Sequence, residues 1–197
     1  NGPARVSGSA GTGKTIVALH RAVFLARSNP DTRVLLTTFS EALANALGTK
    51  LRRLIGNEPR LGERLEVHAI DAIGERLYSS QFGAHAIASR DEVKKWLVEA
   101  AAAEGASGQK FSGRFLASEW DDVVDAWQVD TWEAYRDVRR LGRKTRLSEA
   151  QRRVLWKVFD SVRNRLVAKG LITRAGMFSR LAREMTTRAK PPCDFVV

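Results

Sequence analysis

The chain holds a single cysteine, Cys193, which excludes an internal disulfide and with it the small cross-linked scaffolds of secreted proteins. Its three histidines, His20, His68 and His85, form no Cys/His cluster with the spacing of a zinc site. No apolar run approaches the ~20 residues that cross a bilayer. The opening Asn1-Gly2-Pro3-Ala4-Arg5-Val6 lacks the charged head and apolar stretch of a secretion signal. Internal repeats and low-complexity stretches are missing as well. The expectation is a protein of the reducing cytoplasm without a membrane partner.

Acidic residues are also scarce, 22 against 33 Lys and Arg, for a net charge of +11. The excess is uneven. Val138–Lys190 carries 16 Lys/Arg and 3 Asp/Glu, whereas Phe115–Asp137 carries 7 Asp/Glu and 1 Arg. A one-sided basic surface attracts polyanions, because each cation that neutralises a phosphate releases a condensed counterion. The competing reading is a solvated helix face balanced by its acidic neighbour. At 197 residues, 44% hydrophobic and 28% charged, the chain suits one large domain or a domain with a sizeable insertion.

Ala4–Ser7 reads as a short buried strand entering a glycine-rich turn. From Gly13 to Arg27, Ile16, Val17, Leu19, Val23 and Phe24 recur at helical spacing, and Ser28-Asn29-Pro30-Asp31 breaks the helix. Arg33–Phe39 is a β-rich run for a parallel strand, after which Ser40 caps a helix carrying Leu43, Leu47, Leu51 and Leu54. Gly56–Gly62 reads as a loop, Leu65–Ala69 as a third strand, and about Asp71 to Tyr78 as a helix. Alternating strands and helices predict an α/β fold with a parallel sheet.

Beyond residue 84 the character turns helical. Ser89-Arg90-Asp91-Glu92 and Ser148-Glu149-Ala150-Gln151 are capping boxes. The first opens a helix to about Glu104, and the second opens the longest helix, with stripe Leu155, Val158, Phe159, Val162 and Leu166, ended by Gly170. Between them lie helical stretches around Trp120 and Trp127 and over Trp132–Arg140. Five tryptophans could stack on bases, but their amphipathic setting favours core packing for most of them. Residues 85–175 therefore read as a helical insertion, flanked by the core at 1–84 and by its resumption at 176–197, with a helix over Met177–Thr187 and a final apolar strand at Cys193–Val197. His20, His68, His85 and Cys193 show no partner set that calls for a chemical role.

Gly8-Ser9-Ala10-Gly11-Thr12-Gly13-Lys14-Thr15 matches G-x-x-x-x-G-K-[ST] in full. In such a loop the glycines let backbone N–H groups surround a phosphate at the positive end of the next helix. Lys14 reaches the β- and γ-phosphates and the Thr15 hydroxyl ligates Mg²⁺. A P-loop NTPase sheet that uses ATP or GTP follows from the motif. A second acidic motif, an apolar strand ending in Asp, is not found in the chain, although Cys193–Val197 has the look of its approach.

Ala10–Thr15 followed by His20-Arg21 resembles the first motif of the UvrD/Rep-like superfamily 1 helicases, A-G-[ST]-G-K-T and then H-R. Leu36-Thr37-Thr38-Phe39-Ser40 is similar to the family's T-F-[ST] motif, and Val67–Gly74 aligns with its T-F-H-S motif, where Asp71 stands in the place of His. Glu41-Ala42 stands where many members have Asn-Lys. The helical stretch falls where this family inserts its 1B subdomain, and Ala175–Ala182 resembles the return to the core. The resemblance implies a RecA-like 1A core with a 1B insertion, binding ATP and Mg²⁺ through Gly8–Thr15 with Arg21 near the nucleotide. It implies single-stranded DNA along Thr38, Phe39, Ser40 and Asp71, duplex or phosphate backbone at the basic insertion, and a second RecA-like domain as partner. Without that domain and the second acidic motif, this N-terminal fragment of a helicase is expected to be inactive alone. Two other readings stay open: a helicase-like ATPase that remodels a protein or transcription complex, and a P-loop kinase or other NTPase.

Overall fold

A computed structural model describes residues 3–139 and 146–197. The expected end of the fourth helical stretch at Arg140, and the cations Arg140, Arg143 and Lys144 of the basic region, lie outside the described residues. The chain divides into two compact units, residues 1–77 with 185–197, and residues 78–184.

The first unit is mixed α/β. Its elements are α1 (Lys14–Ser28), β1 (Val34–Thr38), α2 (Glu41–Ile55), the single turn α3 (Pro59–Gly62), β2 (Leu65–Ala69) and the first part of α4 (Ile70–Phe82). The final strand, numbered β5 below (Phe195–Val196), completes a parallel sheet of order β2-β1-β5. Val34 stands opposite Leu65 and Thr38 opposite Ala69, while β5 pairs through Val34↔Phe195 and Leu35↔Val196. Because β1 lies between two strands, its residues Val34, Leu35 and Leu36 are buried. This is why the run reads as continuously apolar rather than alternating.

Helices α1 and α2 bury Leu19, Ala22, Val23, Leu25 and Ala26, and Ala44, Leu47, Leu51 and Ile55. All of these but Ala44 form one core with Val34, Leu36 and Leu65. The C-terminal carbonyls of α1 find side-chain donors: Asn29 Nδ2 donates to Leu25 O at 2.9 Å, and Arg64 Nη1 donates to Ala26 O at 2.9 Å and Asn29 O at 3.1 Å. Ser40 caps α2, its Oγ accepting from Leu43 N at 3.2 Å. One strand expectation fails. Ala4–Ser7 is exposed and irregular, with no ladder partner among the described residues. The segment holds one large apolar residue, Val6, which is 54% exposed, so there is little burial to offset the entropy of ordering it.

The second unit is built from helices around one core. After α4 come β3 (Ala86–Ile87), α5 (Arg90–Ala103), α6 (Gly105–Gly108), α7 (Gly113–Glu119), a π-helical segment at Trp120–Asp125, α8 (Trp132–Asp137), α9 (Glu149–Ala168), β4 (Leu171–Ile172) and α10 (Arg174–Thr187). Both capping boxes form, Ser89 with Glu92 and Ser148 with Gln151. Gly170 leaves the helical region with φ 63° just past α9. The α9 stripe Leu155, Val158, Phe159, Val162 and Leu166 is buried against Val93, Trp96, Leu97, Trp120 and Tyr135. Glu119, fully buried, accepts a hydrogen bond from the Tyr135 hydroxyl at 2.9 Å. Residues 86–87 pair in parallel with 171–172, a ladder too short for any periodicity to announce. Trp127 departs from its expected helix. It sits in a turn and is 78% exposed.

Candidate phosphate and nucleic-acid sites

The glycine loop keeps its shape from within. Gly11 and Gly13 have φ of 81° and 83°, the left-handed region that a Cβ disfavours. Gly8 is needed for another reason: a Cβ there would meet Thr12 Oγ1 at 2.7 Å. That hydroxyl donates to Ser9 O at 2.8 Å, closing the turn across Ala10. Lys14 Nζ curls over the loop, donating to Gly8 O at 2.9 Å and Ser9 O at 2.5 Å.

At the start of α1, Gly13 occupies the cap position without a side-chain cap, and no acidic residue lies in the first turn. The leading N–H groups of a helix carry partial positive charge and seek acceptors. Here they are joined by the Lys14 ammonium and the exposed Thr15 hydroxyl. Glycine backbone, uncapped helix start, ammonium and hydroxyl together form a donor set that fits phosphate oxygens and a Mg²⁺ held through them. Arg21 lies two turns further along α1, about 10 Å from Lys14 at the usual helical rise. Its guanidinium is 5.8 Å from the centre of the Phe24 ring.

The other candidate residues gather at the C-terminal ends of β1 and β2. Parallel register sets Thr38 beside Ala69, and Thr37 Oγ1 donates to His68 O across the ladder at 3.1 Å. Phe39 follows with 92% of its surface exposed. Ser40 is turned into its helix as a cap, and Asp71 sits in the first turn of α4. A helix that packs on a strand and joins it through a short turn runs back along it. The N-terminus of α1 therefore lies toward the same sheet edge as Thr38, the edge where ligands of parallel α/β sheets collect.

Two features carried no sequence signal. A cavity of about 290 Å³ is lined by Ile16, Leu19 and His20 of α1 and by Lys50, Arg53 and Leu54 of α2. Only tertiary packing sets Lys50 and Arg53 beside the helix that the loop opens. On β2, Glu66 is gripped by Arg33 and by Arg76, the latter at 2.5 Å, with His68 Nε2 at 3.3 Å. Burial pushes the Glu66 carboxyl up, but the two arginine hydrogen bonds outweigh it and hold it down at about 2. Burial, with Asp194 and Glu66 nearby, pushes the Cys193 thiol up, so it is a poor thiolate nucleophile.

The family of the UvrD/REP helicase N-terminal domain matches residues 1–167. The chain belongs to this family. The matched span takes in the glycine loop, Thr38–Ser40, the β2–α4 junction and the helices through nearly all of α9. A comparison with curated proteins finds no match. Membership implies a superfamily 1 helicase, a class that binds nucleic acid and uses ATP with Mg²⁺.

Proposed function

We propose that the chain is the phosphate-binding and strand-gripping part of an ATP-dependent DNA helicase or translocase. The observation that carries this reading is the placement of two chemistries at one sheet edge. An uncapped helix start with a glycine loop is one, and a nearly fully exposed aromatic, Phe39, at the end of the neighbouring strand is the other.

When bound, ATP with Mg²⁺ supplies the free energy of phosphoryl transfer. The chain's own part is to bind and orient. Gly8–Gly13 offers backbone N–H groups to the phosphates, Lys14 exchanges its loop carbonyls for phosphate oxygens, and the Thr15 hydroxyl is the metal-side ligand. Arg21 lends positive charge to the same region. Phe39 stacks on a base of a single strand, while Thr38 and Ser40 face its backbone. The basic helical unit meets further backbone phosphate. A second RecA-like domain completes the site around the nucleotide.

A second reading, action on a protein assembly, is favoured by the acids at the strand edge, Glu41 and Asp71, which begin α2 and α4. A titration of labelled single-stranded DNA across a salt series separates the two. The helicase reading expects binding that weakens steeply with salt and falls about 5-fold or more in Phe39→Ala. Absence of binding at low salt would sink it and favour the protein-directed reading.

A further inference from the structure

Four of the five tryptophans are buried or packed against the core of the helical unit, and the fifth is presented to solvent. Trp127 stands on the rim of a cavity of about 540 Å³ that lies wholly within this unit, in the size range of small-ligand sites. Its placement is built. The π-helical segment Trp120–Asp125 ends in a Val129 N to Val124 O bond of 2.8 Å, spanning five residues. Gln128, a non-glycine residue, then takes φ 49°. π-Segments and left-handed non-glycine residues are disfavoured and gather at functional sites.

Side chains lock this turn. Gln128 Nε2 donates to Asp125 O at 2.6 Å and Asp125 Oδ1 at 2.9 Å, and Thr173 Oγ1 donates to the same Oδ1 at 2.5 Å. Gly176 N donates to Thr173 Oγ1 at 3.0 Å, and a Cβ on Gly176 would press on both Thr173 and Gln128. The outcome of this bracing is an indole held outward beside an open cavity.

We propose that this cavity is a single-nucleotide seat, in which Trp127 stacks on one unpaired base of a single-stranded nucleic acid. The wall supports a base. Arg163 is fixed by its bond to Val129 O at 2.8 Å, and Arg180 by its bond to the Tyr78 hydroxyl at 2.9 Å with Phe82 4.0 Å beneath it. An arginine carries five N–H donors, so these bonds do not exhaust either guanidinium. Asn164 brings an amide group able to meet a base edge, and Val167 adds an exposed apolar surface. Asp130 and Asp160 sit on the lining as well, and with Asp125 they offset Arg163, Arg180 and Arg183. The near balance of charge makes stacking, rather than phosphate attraction, the source of affinity. Such a seat tolerates any base, because each has a π-face.

The inference rests on the nucleic-acid reading given above but adds a contact made by a residue other than Phe39. The test uses the whole chain with a short labelled oligothymidylate and an abasic oligonucleotide of equal length. Trp127→Ala should weaken oligothymidylate binding about 5-fold or more, with Trp127→Phe retaining most of it. The abasic strand should bind both proteins alike, and the slope of affinity against salt should not change, since no phosphate contact is lost. Equal oligothymidylate affinity of Trp127→Ala and the parent chain overturns the proposal. An equal loss on both strands also overturns it, because Trp127 would then act on the fold or the backbone. Binding of a polyglutamate peptide that needs Trp127, with DNA affinity unaffected, would overturn it by placing a protein segment there. If only Phe39→Ala weakens the strand, the seat falls and the strand-gripping edge stands. If no variant binds DNA, both fall.

Discussion

Lys14 Nζ and Gly8 O lie 2.9 Å apart, so the first glycine of the loop and the first residue of α1 are joined across six positions. The lysine thereby satisfies inward-facing carbonyls of a loop made almost wholly of exposed backbone. Replacing it removes both this tie and the ammonium that would meet a phosphate. Lys14→Ala should cut the affinity of a fluorescent ATP analogue about tenfold or more, as expected when a charge-assisted bond is lost. Its melting temperature should stay near that of the parent chain, because the site is exposed. Single-stranded DNA binding measured without nucleotide should be unchanged.

Ser40 caps α2 and neighbours the proposed strand-binding edge, and two substitutions separate these roles. Ser40→Ala removes the acceptor for Leu43 N and should cost about 1 kcal/mol in chemical denaturation. Ser40→Asp keeps a good cap and adds negative charge, so its stability should match the parent while its DNA affinity falls. An aspartate variant that binds DNA as well as the parent would move the strand away from this edge.

Glu66 sets an acid limit on the first unit. Its carboxyl sits at about 2 in the folded chain against 4.5 as a free group. A depressed carboxylate contributes stability above the unfolded value and loses it as pH falls through the folded one. Denaturation curves should thus show the parent losing its advantage over Glu66→Gln between about pH 4.5 and 2. The difference at neutral pH should be on the order of 1 kcal/mol, since part of the group is in contact with water.

The Glu119–Tyr135 bond makes a sharper demand, because the Glu119 side chain is fully buried. Tyr135→Phe keeps the ring packing against Trp156 and Phe159 but removes a donor from a buried acceptor. It should destabilise the chain by about 1–3 kcal/mol in urea. Phe159→Ala, in the centre of the same core, should cost more, about 3–5 kcal/mol.

Much of this arrangement was legible where local chemistry and tertiary packing agree. The capping boxes at Ser89 and Ser148 appear because the same side chains satisfy the same orphan N–H groups in any context. The α9 stripe appears because burial follows its period. Ala4–Ser7 was misread because a strand needs a partner as well as a sequence. Trp127 was hidden for the opposite reason. An aromatic within an amphipathic stretch reads as core, and nothing in the spacing marks the one-residue slip of a π-segment that turns it outward. At the sheet edge, Thr38 and Ala69 lie 31 residues apart in the chain, and only the parallel register makes the two motifs neighbours.

Arg64 ties the carbonyls that end α1 to the residue that precedes β2. Mechanically, helix and strand become two struts pinned at one end. The glycine loop lies at the other end of the helix, while the strand is held along its length by its pairing with β1. A load on the loop is therefore carried down the helix into an anchored end, and from there into the β1–β2 ladder.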